Sequence, residues 1–231
     1  MTDPKLAGRD RAREISAEFL ARGDAVHWFD AFYRDAAGDD TRIPWADREG
    51  HPMLADWLAQ GALGEHGGRG RRALVVGCGL GEDAALLERA GWRVTAFDVS
   101  PTAIAWCPRI WPDSQIEFRT VNLFESPAEW THAFDLVVEI YTLQAMPAEP
   151  RPRAIERIAS FVAAGGELLV VTRGRAADEA YSGQLPWPLL RSELDSFGDQ
   201  GLELARLDEL DEPDEMSSLR WRALFRRPAG S

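Results

Sequence analysis

The residues best suited to chemistry stand close together in the first half of this chain. Gly77, Cys78, Gly79, Leu80 and Gly81 follow the apolar run Leu74-Val75-Val76, and Asp98 comes 21 positions after Gly77. Glycines allow a tight turn and let a ligand approach the backbone with no Cβ in the way. A carboxylate roughly 20 residues beyond such a turn suits the two hydroxyls of a ribose. Glycine turn plus acid therefore reads as a nucleoside site. A dinucleotide fingerprint would place its third glycine at position 82, where this chain has Glu82. An acid there repels a pyrophosphate, which needs bare N–H groups at the helix start. That counts against a nicotinamide-dependent oxidoreductase, which stays as the weaker alternative.

These residues need a strand, a turn, a helix and a second strand to position them. Leu74 to Val76 predict the first strand, Ala84 to Leu87 begin a helix that Gly91 can stop, and Val94 to Phe97 form a strand ending on Asp98. Ser100 and Pro101 suit an N-cap and first helical position. Ile116, Phe118 and Val121 mark a third strand running into Asn122-Leu123. Phe134 to Val138 form a fourth, which spills into Glu139 to Gln144. A helix through Ile155, Ile158, Phe161 and Val162 is expected to close at Gly165-Gly166, before a fifth strand at Leu168 to Val171. Strands alternating with helices predict a parallel, doubly wound sheet. Ligands on such sheets bind outside the carboxyl ends of the strands. Two strands without an intervening helix, Leu202 to Leu207 and Leu219 to Phe225, predict an antiparallel pair at the sheet edge. Alternation in the second sets Leu219, Trp221, Ala223 and Phe225 against Arg220, Arg222 and Leu224.

Before the glycine turn, residues 1 to 12 are polar and expected to fray, and Ile15, Phe19 and Leu20 suggest a helix stopped by Gly23. Asp24 can cap a second helix carrying Val26, Phe29, Phe32 and Tyr33, and Pro52 starts a third that ends at Gly61. The expected organisation is an N-terminal helical cover over residues 1–61 and a ligand-binding domain over residues 62–231, in one compact unit.

VVGCGLGED resembles motif I of the class I S-adenosylmethionine-dependent methyltransferases: an apolar strand, G-x-G-x-G, and an acid at the end of the next strand. The likeness runs from Ala73 to Val171 and extends to Arg227. Before Gly61 it is more distant, where Trp45-Ala46 and His51-Pro52 resemble the thiopurine and tellurite-resistance small-molecule types. The family has a Rossmann-like, seven-stranded, mostly parallel sheet with an antiparallel C-terminal strand pair, here under an N-terminal helical lid. The resemblance implies S-adenosylmethionine as cofactor, held by Gly77, Cys78, Gly79, Gly81, Asp98 and Val99, with Asp98 on the ribose. Asn122-Leu123 occupy the place of an acid and an apolar residue: Asn122 would read the adenine amino group, or merely end its strand. Glu139 to Gln144 match motif IV, beside the transferred methyl. Tyr141 would orient or deprotonate a nucleophile, or pack in the core. Gln144 would hydrogen-bond an acceptor. Glu139 would meet the cofactor's amino group, or cap a helix. Trp45 would close over cofactor and substrate, and His27 is the other candidate base.

The 231 residues carry 26 basic and 38 acidic side chains, a net charge of −12. Such a surface repels phosphate backbones and anionic membranes, so neither nucleic acid nor membrane is an expected partner. The polar N-terminus has no apolar signal core, and no apolar run approaches the ~20 residues that span a bilayer. Cys78 and Cys107 have no metal or CxxC spacing, and His27, His51, His66 and His132 no ligand spacing, so no metal is expected. The implied protein is a cytoplasmic enzyme moving a methyl group to a thiol, amine or hydroxyl of a small molecule. The main alternative is a non-catalytic S-adenosylmethionine-binding protein. The acceptor and the oligomeric state are not legible.

Overall fold

The computed structural model describes residues 3–60, 68–179, 183–211 and 219–230. In chain order the elements are α1 (Pro4–Leu20), α2 (Trp28–Ala36), α3 (Pro52–Ala59), β1 (Arg72–Val76), α4 (Glu82–Arg89), β2 (Arg93–Asp98), α5 (Pro101–Ile110) and β3 (Glu117–Thr120). They continue with β4 (Phe134–Ile140), α6 (Arg151–Ser160), β5 (Val162–Arg175), β6 (Leu189–Leu190), α7 (Arg191–Asp195), β7 (Glu203–Asp211) and β8 (Leu219–Arg226). The sheet order is β3-β2-β1-β4-β5-β8-β7, with the two-residue β6 added on β5. β1, β4, β5 and β6 run parallel, as do β2 and β3, while β8 is antiparallel to both β5 and β7. This is the expected doubly wound, mostly parallel sheet with its antiparallel C-terminal pair. Among the described residues no helix is long and apolar enough to cross a membrane.

The chain forms two compact units. One comprises Met1–Arg69 and Gly77–Asn122, the other Gly70–Val76 and Leu123–Ser231. In the first, helix starts are set by capping side chains. Asp3 accepts the Lys5 N–H at 3.0 Å ahead of Pro4, so α1 begins where fraying was expected. Arg11, on that same polar stretch, reaches Asp35 of α2 at 2.9 Å. Ser100 accepts the N–H of Ala103 and caps α5, as its sequence position suggested. Asp24 does not cap α2, which starts at Trp28 after His27: its carboxylate closes the preceding turn by accepting the N–H groups of Val26 and His27, leaving Val26 outside the helix.

The second unit departs from expectation in two places. α6 ends at Ser160 and passes straight into β5, so Gly165-Gly166 lie inside a strand rather than closing a helix. The register with β4 jumps from Phe134↔Val162 to Leu136↔Glu167 across this point. A Cβ on Gly166 would lie 3.0 Å from the Phe134 carbonyl oxygen, so the pair serves a strand bulge. In β8, Arg220 and Arg222 are buried although their alternation pointed outward, because β8 runs between β5 and β7 rather than along the edge. Arg222 is satisfied by Asp208 of β7, at 2.6 Å. β7 runs on to Asp211, beyond the expected strand end at Leu207; residues 212–218 lie outside the described residues.

Arg151 ties this unit together. Its guanidinium is buried and donates to the carbonyls of Leu143 (3.2 Å), Met146 (3.1 Å) and Trp187 (2.5 Å), and pairs with Glu193 at 2.8 Å. Glu193 also accepts the Leu190 N–H at 2.7 Å. The loop after β4, the loop before β6 and the start of α7 therefore converge on one cation. Arg151→Ala strands these acceptors and is expected to cost about 3 kcal/mol or more. Denaturant unfolding at constant m-value measures it, and a loss below about 1 kcal/mol contradicts this role.

Candidate active site

In the first unit the turn after β1 is built from glycines that cannot be exchanged. Gly79 has φ +53°, and a Cβ there would lie 3.0 Å from the Tyr33 hydroxyl and 3.8 Å from Trp45 Nε1. Gly81 has φ +88°, and its Cβ would sit 2.7 Å from the Phe118 ring. The first is a close approach by the N-terminal aromatics, the second a packing contact with β3. The Cys78 N–H donates to the Phe97 carbonyl at 2.8 Å, fastening the turn to β2. The Cys78 side chain is buried, and burial pushes its thiol up, which suits a filler rather than a nucleophile.

Asp98 ends β2 with its carboxyl buried beside this turn. Oδ2 accepts the Gly79 N–H at 3.0 Å and Oδ1 the Ser100 N–H at 2.8 Å. Burial raises its pKa, opposed by the N–H groups of Ser100, Gly79 and Val99. Each oxygen retains a further lone pair, which suits hydroxyl donors. The Val121 N–H donates to the Asp98 carbonyl at 2.9 Å, and Asn122 follows directly, half-buried.

The aromatic cover stands over the same turn. Trp45 Nε1 donates to the Tyr33 hydroxyl at 2.8 Å, and Trp45 packs on Phe32 at 5.1 Å between ring centroids. Tyr33 is fully buried against Trp106 at 5.9 Å, whereas Trp45 is 39% exposed. Three carboxylates hold this cover down. Asp30 of α2 accepts from Ser100 Oγ at 2.9 Å and the Thr102 N–H at 3.1 Å. Asp83 accepts the His51 N–H at 2.7 Å, and Glu82 faces the Arg48 N–H. Burial pushes Glu82 up to about 7 and Asp83 up to about 6. His27 is exposed at the start of α2 and pairs with Asp24 at 3.0 Å.

The remaining candidates lie in the second unit. Leu123 is buried at the start of a single 3-10 turn, Leu123–Glu125. Glu139 is fully buried at the end of β4. Its Oε1 accepts the N–H groups of Thr142 (2.7 Å) and Leu143 (2.9 Å), while Oε2 has no hydrogen-bond partner among the described residues. Burial pushes its pKa to about 7. Tyr141 has φ +63°, a left-handed conformation that costs a non-glycine residue on the order of 1 kcal/mol or more. It is half-buried, and the Arg173 guanidinium lies 5.9 Å from its ring centroid. Buried Gln144 accepts the Arg173 N–H on Oε1 at 2.7 Å, and its backbone carbonyl takes the Trp187 N–H at 2.7 Å. Sequence reasoning placed Tyr33 only among the helix's apolar residues and missed Asp30 and Asp83. Asp30 and Tyr33 share a helix face three positions apart, but nothing in the sequence connects either to Ser100 or Gly79.

This architecture, a glycine turn after β1, an acid ending β2 and an antiparallel C-terminal pair, is the class I S-adenosylmethionine-dependent methyltransferase fold. Residues 73–166 match the family described as a methyltransferase domain. The chain is 33% identical over 109 residues to the ubiquinone biosynthesis O-methyltransferase of Xanthomonas oryzae, covering 46% of this chain and 44% of that protein. It spans about half the length of the curated relatives it matches. The solved N-methyltransferase NodS from Bradyrhizobium japonicum, in complex with S-adenosyl-L-homocysteine, superposes with a TM-score of 0.65 at 21% identity, over 87% of this chain and 98% of NodS. TehB from Haemophilus influenzae gives 0.60 at 18% identity, over 88% and 67%.

The buried Glu139 makes stability depend on pH. Its folded pKa, about 7, lies above the ordinary 4.5, so the folded state holds a proton that the unfolded state releases. The associated stability is complete below about pH 4.5 and is lost as pH rises through about 7. Glu139→Gln keeps an acceptor for Thr142 and Leu143 but removes the titration. The wild type is expected to lose on the order of 3 kcal/mol relative to this variant across that window. Urea unfolding at several pH values measures it, and parallel pH profiles would show that Glu139 titrates normally.

Proposed function

We propose that this protein binds S-adenosylmethionine in the first unit and transfers its methyl group to a thiol, amine or hydroxyl of a small molecule. The observation that carries the reading is Asp98: a buried carboxyl, fixed by Gly79 and Ser100, with lone pairs left for two ribose hydroxyls. Gly77, Cys78, Gly79, Gly81 and Val99 supply backbone beside the cofactor, and Asn122 and Leu123 flank the adenine. When bound, the cofactor supplies a methyl on an electron-poor sulfur. The protein's part is to orient an acceptor and exclude water.

The exposed face of Trp45, held by its bond to Tyr33, attracts a sulfonium and shields it. Tyr141 is a candidate to orient or deprotonate an acceptor, in keeping with a backbone held in a costly conformation. Gln144 has its oxygen committed to Arg173, so a bond to an acceptor would come from its NH2 group. Glu139 caps its own loop and has one unpartnered oxygen for a cationic amino group. His27, exposed and paired with Asp24, is the weaker candidate base. The acidic balance favours a small molecule over nucleic acid or an anionic membrane, and the two free, buried cysteines suit the reducing cytoplasm as the place of action.

Titration calorimetry with S-adenosylhomocysteine tests the cofactor site. Asp98→Ala is expected to weaken binding by about 2 kcal/mol or more while the protein stays folded. Unchanged affinity sinks the assignment. Trp45→Ala, with over a third of its surface exposed, is expected to lower turnover on a panel of thiols, amines and phenols and to preserve cooperative melting. Collapse of the melting transition would instead make Trp45 a core residue.

A further inference from the structure

This acidic chain gathers arginines on one part of its sheet. In the second unit Arg173, near the end of β5, stands directly opposite Arg220 of β8, and Val171 stands opposite Arg222. Directly opposed residues of an antiparallel pair share a face, as do residues two apart on one strand. Arg173, Arg175, Arg220 and Arg222 therefore lie on the same side of the sheet. Arg220 is 3% exposed and Arg222 6%. On this face of β7, Asp208 is shared by Arg222 at 2.6 Å and Arg206 at 2.7 Å. The cross-strand neighbours of Arg220 are Arg173 and Leu210, another cation and an apolar side chain. Like charges directly opposite each other are destabilising, the more so where water is scarce, and an anion between them reverses the sign.

The place of this pair bears on the acceptor. The Arg173 guanidinium lies 5.9 Å from the Tyr141 ring centroid, and the Arg173 N–H is fixed on Gln144 Oε1 at 2.7 Å. The cation is thus anchored beside the two residues read above as facing the acceptor. Resting on that reading, we infer that the methyl acceptor is an anion, whose carboxylate binds the Arg173–Arg220 pair while its nucleophile faces Tyr141. A guanidinium has five N–H donors, so an ion pair within the protein leaves donors for a second anion, and its planar fork matches a carboxylate. Arg173 is half-buried and is the member of the pair that a ligand reaches; buried Arg220 adds its charge beside it. The net charge of −12 turns away a polyanion, whereas a small carboxylate needs only this local reversal of sign. Arg173 in this role determines which acceptor is held, not the transfer itself.

Equilibrium binding to the protein saturated with S-adenosylhomocysteine tests this without requiring turnover. The ligands are para-mercaptobenzoate, para-aminobenzoate and para-hydroxybenzoate, each titrated against the corresponding benzamide. At least one carboxylate is expected to bind the wild type about tenfold or more tightly than its amide. Arg173→Gln is expected to bring that ratio to within about twofold by weakening the carboxylate alone. Arg173→Lys keeps the charge but not the fork, and should restore part of the preference. Arg220→Gln should reduce it as well; because that side chain is buried, the variant is paired with a thermal melt, and Arg173→Gln decides the matter should it fail to fold. Carboxylates and amides binding alike, no carboxylate binding at all, or Arg173→Gln weakening both members equally overturns the inference. Failure of the wild type to bind S-adenosylhomocysteine overturns the cofactor reading instead.

Discussion

The arrangement depends on a single carboxylate accepting backbone N–H groups from two directions. Asp98 terminates β2 and would be costly to bury alone, since desolvation of a charge in a protein interior amounts to several kcal/mol. The N–H groups of Gly79, Ser100 and Val99 offset that cost. In doing so they fix the glycine turn on one side and the first turn of α5 on the other. The turn's shape is therefore imposed twice, by backbone conformations that favour glycine and by an acid that holds its middle N–H. Moving Asp98 by one residue would face its side chain to the other side of the sheet, and the turn would lose its anchor.

The acidity of the chain acquires a structural meaning from the same interaction. Asp3 and Asp39 cap helical turns, and Asp24 closes the turn before α2 by accepting the Val26 and His27 N–H groups. Asp30 reaches across to the start of α5, Asp83 to the His51 N–H, and Glu193 to the Leu190 N–H. Carboxylates at helix N-termini are favoured by both hydrogen bonding and the helix dipole. Asp30 and Asp83 thus serve as glue between segments distant in sequence, while the others fix local turns. The aromatic cover in particular is held over the glycine turn by Asp30 and Asp83, with the Trp45–Tyr33 bond between them.

Local patterns made the sheet and the glycine turn with its acid legible in the sequence, because a strand, a glycine turn and a terminal acid are adjacent along the chain. Ser100-Pro101 announced the start of α5 for the same reason. What escaped was set by distant partners. Alternation in β8 pointed Arg220 and Arg222 outward, but a strand covered on both faces does not obey that pattern. Gly165-Gly166 looked like a helix stop, since a glycine pair serves a bulge as readily, and only the register with β4 distinguishes the two. Tyr33 read as one more aromatic on a helix face. Its hydroxyl gains significance only from Gly79, 46 positions away.

On the proposed reading, the charges around the glycine turn also bear on how a methyl donor and its product are told apart. The Tyr33 hydroxyl, packed on Gly79, feels the charges of both Asp98 and Glu82, so negative potential reaches the glycine turn. A sulfonium bound beside the turn is favoured by these charges and by the exposed face of Trp45. Loss of the methyl leaves a neutral thioether, for which neither attraction remains, while hydrogen bonds from the ribose to Asp98 are unchanged. The same groups that hold the cofactor by its polar ends would then grip the donor more strongly than the product. That difference arises from fixed protein charges and needs no movement of the cover. Glu82 modulates it: with a pKa raised to about 7, part of the negative potential is gained only as pH rises through neutrality.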